Sequence, residues 1–372
     1  MNERSIGLMS GTSLDGVDGV LVEWPEDGTP LRVLAHVHRP FDEALRLELL
    51  ALNTRGGSDE LHRAALAGNA VAQRYAEVVQ ALLGSASVEA ASVAAIGAHG
   101  QTVRHQPLAF DGNGYTLQLN NPALLAERTG IDVVADLRSR DLAAGGQGAP
   151  LVPAFHRAVF ARSGEAVAVL NLGGIANLTL LGADGSVLGF DCGPANALLD
   201  HWVQRHRGEP FDRDGQWAAS GRVDDALLAA LQSEPYFDLP PPKSTGRDLF
   251  HAQWLAQHLA AQASLAPADV QATLAELTAW ACARELRRHL ADARQLLVCG
   301  GGAFSGHLMA RLAAHLPGVP VGSTAQRGLP PDQVEACAFA WLARAFLHRE
   351  PASLPSVTGA RGARVLGALY PR

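Results

Sequence analysis

Three times in this chain an apolar, strand-like run ends in a glycine-rich loop, and that repetition constrains the fold more than any other feature. The first run, Ser5 to Met9, leads into Ser10-Gly-Thr-Ser-Leu-Asp-Gly-Val-Asp18 and resumes at Gly19 to Trp24. The second begins at Ala166 to Leu172, turns at Gly173-Gly174, and continues through two more strand-like segments to Asp191-Cys-Gly-Pro-Ala-Asn196. The third, Gln295 to Val298, opens onto Cys299-Gly-Gly-Gly-Ala303 and then a helical pattern. Glycine lets successive backbone N–H groups converge on an anion with no Cβ in the way, so each loop is a candidate phosphate cradle.

The loops differ in chemistry. In the first, Gly11, Leu14, Gly16 and Val17 supply backbone, Thr12 and Ser13 add hydroxyl donors, and Asp15 and Asp18 can hold a magnesium ion through water. It lacks the G-x-x-x-x-G-K-[ST] pattern and any nearby lysine, and a hairpin context is wrong for a dinucleotide turn. The plain alternative is a polar hairpin turn. In the second loop, Asp191 closes a buried strand just ahead of a helix, where α/β proteins place catalytic groups. Its carboxylate can accept a proton from an attacking hydroxyl or water, or it can simply cap the helix; the residues alone leave both open. Gly300, Gly301 and Gly302 bring backbone close to a flat or anionic ligand. A lone triple glycine is a weak signal, and the set of three loops is the stronger one.

Between the loops, strands and helices intermix. Asp59 to Leu83 reads as one long helix, Val93 to Gly97 as a buried strand ending at His99 and Gln101, and Ala272 to Leu290 and Glu335 to Leu347 as helices. The two halves echo each other as hairpin, acidic glycine loop, helix and further strand, which predicts an α/β protein of two lobes. A first lobe over 1–130 and a second over 131–372 is the expected division, with C-terminal elements able to pack back on the first. Arg138 and Arg140 lie in a strand-like segment that then meets Asp141. Ala143 to Pro150 reads as a linker or a substrate loop. Pro240 to Arg247, with Lys243, reads as a pocket lip or a surface turn.

A formal charge of -7 argues against a nucleic-acid or anionic-membrane partner. No stretch nears 18 uninterrupted apolar residues. The four cysteines are widely spaced, which suits neither a zinc site nor a disulfide scaffold. A cytoplasmic protein is the expectation.

The run Leu8 to Asp18 closely resembles the N-terminal signature of the anhydro-N-acetylmuramic acid kinases. The resemblance continues, in order, through Ala98 to His105, Val134 to Asp141, Ala144 to Pro153, Asn171 to Thr179, Gly189 to Pro194, Pro241 to Arg247, Val298 to Ala303, Pro331 to Ala340 and Leu354 to Ala360. It implies an actin/hexokinase/Hsp70-type fold with a mixed sheet in each lobe and ATP in an interlobe cleft. It also implies a coupled reaction, in which the 1,6-anhydro ring of the amino sugar is opened by water and O6 is phosphorylated. Asp191 would be the base that activates the water, and Glu335 would orient the water or the sugar. Gly11 to Asp18, Gly173, Gly174 and Gly300 to Gly302 would hold ATP with Mg2+, and His99, Gln101, Arg138 and Asn196 would contact the sugar. A homodimer is implied by the resemblance alone.

Two segments depart from the family pattern. Ala195 stands where glycine is usual, and Phe304 to Met309 differs from the commoner Arg/Asn-containing version. On the same fold the rival readings are a non-catalytic regulator or chaperone and a kinase for another sugar. No segment reads as the basic helix-turn-helix a repressor needs, and the chain has no length left for a peptide-binding domain.

Overall fold

The computed structural model describes residues 2–11, 13–26, 29–246, 249–260 and 265–372. Its strands, in chain order, are β1 (Glu3–Met9), β2 (Gly16–Trp24), β3 (Arg32–Pro40), β4 (Ala95–Ala98), β5 (Gln101–Pro107), β6 (Gly114–Leu119) and β7 (Val133–Ala135). They continue with β8 (Val167–Leu172), β9 (Ile175–Leu181), β10 (Val187–Pro194), β11 (Gln295–Cys299), β12 (Val321–Ser323) and β13 (Ala368–Tyr370). The chain divides into two compact units, 1–155 with 333–372, and 156–332.

The first unit carries a sheet of order β13-β7-β4-β1-β2-β3. β1, β2 and β3 form an antiparallel meander, while β4 joins β1 and β7 joins β4 in parallel. The boundary expected after residue 130 therefore falls inside this unit, because β7 is hydrogen-bonded to β4. The helix Val334–Leu347 also belongs here and lies on β1 and β4. Its close approach needs glycine in the strands. A Cβ on Gly7 would sit 1.8 Å from the Ala336 carbonyl oxygen, and one on Gly97 2.0 Å from that of Phe339. The long helix Glu60–Ala86 buries Val71, Tyr75, Val78 and Leu82 in the unit's main core. β3 and the preceding turn were not legible as a strand, and with them the helix Glu43–Asn53, capped by Asp42 through the Leu45 N–H.

The second unit repeats the plan. Its sheet runs β10-β9-β8-β11-β12, again an antiparallel three-strand meander whose first strand pairs in parallel with a crossover strand, followed by one more. β8 is buried along its whole length, so it reads as an unbroken apolar run rather than an alternating one. The helix Pro267–His289 packs on this sheet with residues from Val270 to Leu286 mostly buried. Among the described residues no helix is long and apolar enough to cross a membrane.

Candidate active-site residues in the two units

In the first unit the loop after β1 is pinned from beneath. Ser10 is buried, its Oγ 2.9 Å from the Tyr75 hydroxyl and donating to the Gly100 carbonyl at 3.1 Å. The Gly100 N–H donates to the same Tyr75 oxygen at 3.0 Å, so one helix side chain ties the loop to the end of β4. Gln101 Nε2 donates to the Gly11 carbonyl at 3.0 Å. The turn closes with Leu14 at φ 59 and its N–H on the Gly11 carbonyl. Tyr75 carries this arrangement and was missed in the sequence, where it looks like one more apolar position of an Ala/Leu-rich helix.

The two aspartates of the loop are used differently. Asp15 is exposed and accepts from the Ser13 hydroxyl at 2.8 Å. Asp18 lies on β2, with His38 Nδ1 at 3.0 Å and His36 Nε2 at 3.4 Å across on β3. Burial alone would raise its carboxyl, but the two histidines hold it below the usual carboxylate range. Among the described residues no cluster of three or more His, Cys, Asp and Glu could hold a metal ion directly. Thr12 lies outside the described residues.

His99, Arg138 and Glu335 come together in the same unit. His99 is buried; its Nδ1 donates to the Ser10 carbonyl at 3.2 Å, and its Nε2 accepts from Arg138 Nη2 at 2.8 Å. Burial, then the neighbouring Arg138 charge, push its pKa down to about 3, so the ring is neutral and both nitrogens are engaged within the protein. Arg138 Nη1 donates to the Gly148 carbonyl at 2.7 Å. Burial brings the guanidinium down to about 10, against the opposing pull of Glu335 and Asp141. The segment around Arg138 is not a strand: Arg138 caps a short helix, Ser139–Ala143, which sets Arg138 and Arg140 on different sides, about 200° apart.

The glycine loop read as a linker or substrate loop and the C-terminal motif at Leu354 to Ala360 form one structure. Asp141, buried, accepts from the Gly148 N–H and from the Thr358 hydroxyl, each at 2.8 Å. The Gln147 N–H donates to the Thr358 carbonyl, and the Arg361 N–H to that of Ala144. The tail at 354–361 thus clamps the glycine loop at 144–148, whose Gly148 carbonyl in turn holds Arg138.

In the second unit Asp191 lies within β10 rather than closing it, three residues before the strand's end and at an irregularity in the β9 pairing. Its Oδ2 accepts from the Thr245 N–H at 2.9 Å, its N–H donates to the Lys243 carbonyl at 3.2 Å, and its carbonyl accepts from the Tyr236 hydroxyl at 2.8 Å. Burial pushes the carboxyl up to about 7, with the Thr245 N–H and the Lys243 charge acting the other way. The carboxyl is therefore not spent as a helix cap: the helix Asn196–Arg207 starts without a side-chain cap, from Ala195. Ala195 has a negative φ of -129 with ψ -119. The segment Pro240 to Arg247, read as a pocket lip or surface turn, turns Lys243 inward, while Arg247 lies outside the described residues.

The glycines of this unit gather at the ends of β8 and β11. Asn196 Nδ2 donates to the Leu172 carbonyl at 2.8 Å, and the Asn196 and Ala195 N–H groups donate to the Gly173 and Gly174 carbonyls. Asn196 is thus a brace under the Gly173-Gly174 turn. Gly300 has φ +78, and a Cβ there would lie 2.3 Å from Asn171 Oδ1; at Gly302 it would lie 2.5 Å from the Leu172 side chain. Gly173, Gly174 and Gly301 differ, since a Cβ on any of them meets nothing nearer than 3.6 Å.

The duplicated order, a meander followed by parallel crossover strands in each unit, with acidic glycine loops at the strand ends, defines an α/β protein of the actin-like ATPase class. Within that class the sequence comparisons are specific. The family model described as anhydro-N-acetylmuramic acid kinase matches residues 3–372. Proteins of that name from Variovorax paradoxus and Albidiferax ferrireducens are 64% and 61% identical, over 99% of both chains and 100% of both chains respectively. The chain belongs to the anhydro-N-acetylmuramic acid kinase family. Among solved structures, an activator of 2-hydroxyisocaproyl-CoA dehydratase from Clostridium difficile overlaps 91% of this chain and 93% of its own at TM-score 0.48 and 11% identity. A ROK hexokinase from Thermus thermophilus overlaps 92% and 99% at TM-score 0.37 and 17% identity.

Proposed function

We propose that this kinase opens the 1,6-anhydro ring of anhydro-N-acetylmuramic acid with water and transfers the ATP γ-phosphoryl to O6. The products are N-acetylmuramic acid 6-phosphate and ADP, a step in recycling the cell wall. Asp191 takes a proton from water as the water oxygen bonds to the anomeric carbon. The bond from that carbon to O6 breaks, and O6 leaves as an alkoxide. O6 then bonds to the γ-phosphorus as the β,γ-bridging bond breaks, and the proton on Asp191 passes to solvent. Asp15, exposed on the first loop, would hold through water a magnesium ion bound with ATP, which would offset phosphate charge.

One observation carries the chemistry. A general base works best with a pKa near the operating pH, and the protein around Asp191 brings its carboxyl to about 7 while leaving the residue only partly buried. Support for the nucleotide comes from Gly173, Gly174 and Gly301, where internal packing has room for a side chain and the approach of a ligand is what excludes it. On the sugar side, Arg138 offers a cation beside Glu335, its direction fixed by His99 and Gly148. The test is Asp191→Asn, which keeps the shape and removes the base. ATP and sugar binding, measured by calorimetry, stay intact, and turnover falls by on the order of 10²-fold or more. Near-normal turnover would overturn the base assignment.

A further inference from the structure

Behind Asp191 lies a buried pair of charges that the proposed reaction does not use. Lys243 and Glu285 are among the most enclosed ionisable side chains, at 2% and 1% exposure, with Nζ 3.4 Å from Oε1. Neither finds a hydrogen bond of good geometry: among the described residues, Nζ and both Glu285 oxygens lack a partner. The ammonium sits instead over two aromatic rings, 5.1 Å from the Tyr236 centroid and 5.7 Å from that of Phe190. A buried ion pair so poorly bonded is weak evidence for stability, since an apolar pair of equal volume serves a core as well or better. Its position supplies another reason. Lys243 gives its carbonyl to the Asp191 N–H, Tyr236 gives its hydroxyl to the Asp191 carbonyl, and Phe190 precedes Asp191 on β10. Both rings beneath the ammonium thus touch or adjoin the carboxylate residue.

We propose that the Lys243–Glu285 pair is a positioning device for Asp191: Lys243 holds the carboxylate's charge by its field and its place by the 243–245 backbone, and Glu285 holds Lys243. This rests on the assignment of Asp191 as the base. The groups facing the pair and Asp191 come from three elements. Cys192 adjoins Asp191 on β10, Tyr236 and Thr245 lie on the connecting segment, and Cys282, Arg284 and His289 lie with Glu285 on the helix Pro267–His289. Arg284 is 3.9 Å from Glu285 and otherwise bonded to the Phe237 carbonyl and Asp238, so its charge is spent outside. His289 is 3.3 Å from Glu285, and burial holds its pKa below the usual histidine value, so it is neutral where the enzyme works. Cys192 lies against Cys282, and burial holds its thiol protonated. Among the described residues Lys243 is thus the cation that acts on Asp191, and Glu285 the anion that tempers it.

The signs follow. Removing Glu285's charge leaves Lys243 untempered, which stabilises ionised Asp191 and moves the acidic limb of kcat/KM to lower pH. Removing both charges takes away the favourable cation and moves the limb to higher pH. The experiment is the pH profile of ADP release from ATP, Mg2+ and anhydro-N-acetylmuramic acid, for the full chain, Glu285→Gln and the neutral double variant Lys243→Met/Glu285→Gln. Each shift is expected at about one pH unit, in opposite directions. A thermal melt of each variant accompanies the profile. A purely structural pair would change melting or kcat and leave the limb in place or move it the same way in both variants; either result overturns the proposal. Asp191→Asn separates the layers. If that variant keeps turnover, the base assignment itself fails. If it is inactive and the opposite shifts are still missing, only the role of the pair fails.

Discussion

Gly174→Ala separates a glycine needed by a ligand from one needed by the fold. The added methyl would lie 3.6 Å from Ala197 Cβ, an ordinary contact, and the residue has no positive φ. Losing glycine's freedom in the unfolded chain should then stabilise the protein by roughly 0.4–1 kcal/mol. A phosphate that approaches the Gly173-Gly174 backbone closely is pushed back by the same methyl. Losing one hydrogen bond to a charged group costs about 1.5–3 kcal/mol, or ~10–100-fold in affinity. Gly300→Ala is the counterpart, since its methyl meets Asn171 Oδ1 at 2.3 Å and φ +78 is strained for alanine. It should destabilise by about 1–2 kcal/mol from the backbone alone. Thermal melts and ATP titration by calorimetry on both variants give the result. The expectation is a Gly174→Ala protein that melts no lower than the parent and binds ATP ~10–100-fold more weakly. Native ATP affinity in that variant would refute the argument that open space at a glycine marks a ligand's approach.

Other consequences are quicker to check. With Asp191 near 7 and active only when ionised, kcat/KM should fall about tenfold from a pH well above 7 to pH 6, where about one-tenth of the carboxyl is charged; a profile flat from pH 8 to pH 5 would contradict it. Thr358→Val removes a donor from buried Asp141 and should cost about 1–3 kcal/mol in denaturant unfolding. It should also raise the KM for the sugar, because the loop it clamps holds Arg138. Gly97→Val must displace the helix Val334–Leu347, whose Phe339 carbonyl lies 2.0 Å from the new Cβ, and should leave little folded protein on gel filtration.

Much of the fold was legible because the strands that carry the loops are short, apolar and bounded by glycine. β1, β8 and β11 lie inside their sheets and read as continuous buried runs. β3 did not, because it is an edge strand of sequence Arg-Val-Leu-Ala-His-Val-His-Arg-Pro, largely open to solvent. With it went His36 and His38, the partners of Asp18. β7 and β13 are three residues each, and nothing local announces strands whose partners lie far along the chain. The return of the chain's last part to the first unit had one readable sign, glycine in the middle of two strands at Gly7 and Gly97, which marks close backbone approach. Asp191 was identifiable from its place between strand and helix, but its environment was not, since Tyr236, Lys243 and Thr245 reach it from 45 to 54 residues away. His99 and Gln101, expected to contact the sugar, each also bond the Ser10-Gly11 backbone, a supporting contact that nothing in the sequence announces.

The central claim is that one carboxylate opens the anhydro ring and so prepares O6 for phosphorylation. The most direct measurement is ADP release on mixing the protein with ATP, Mg2+ and 1,6-anhydro-N-acetylmuramic acid, with N-acetylglucosamine as the control sugar and the phosphorylated product identified by mass spectrometry. The account predicts one ADP per N-acetylmuramic acid 6-phosphate formed and only background release with the control. No ADP above background with the anhydro sugar, or a phosphorylated product that keeps its ring, would contradict it.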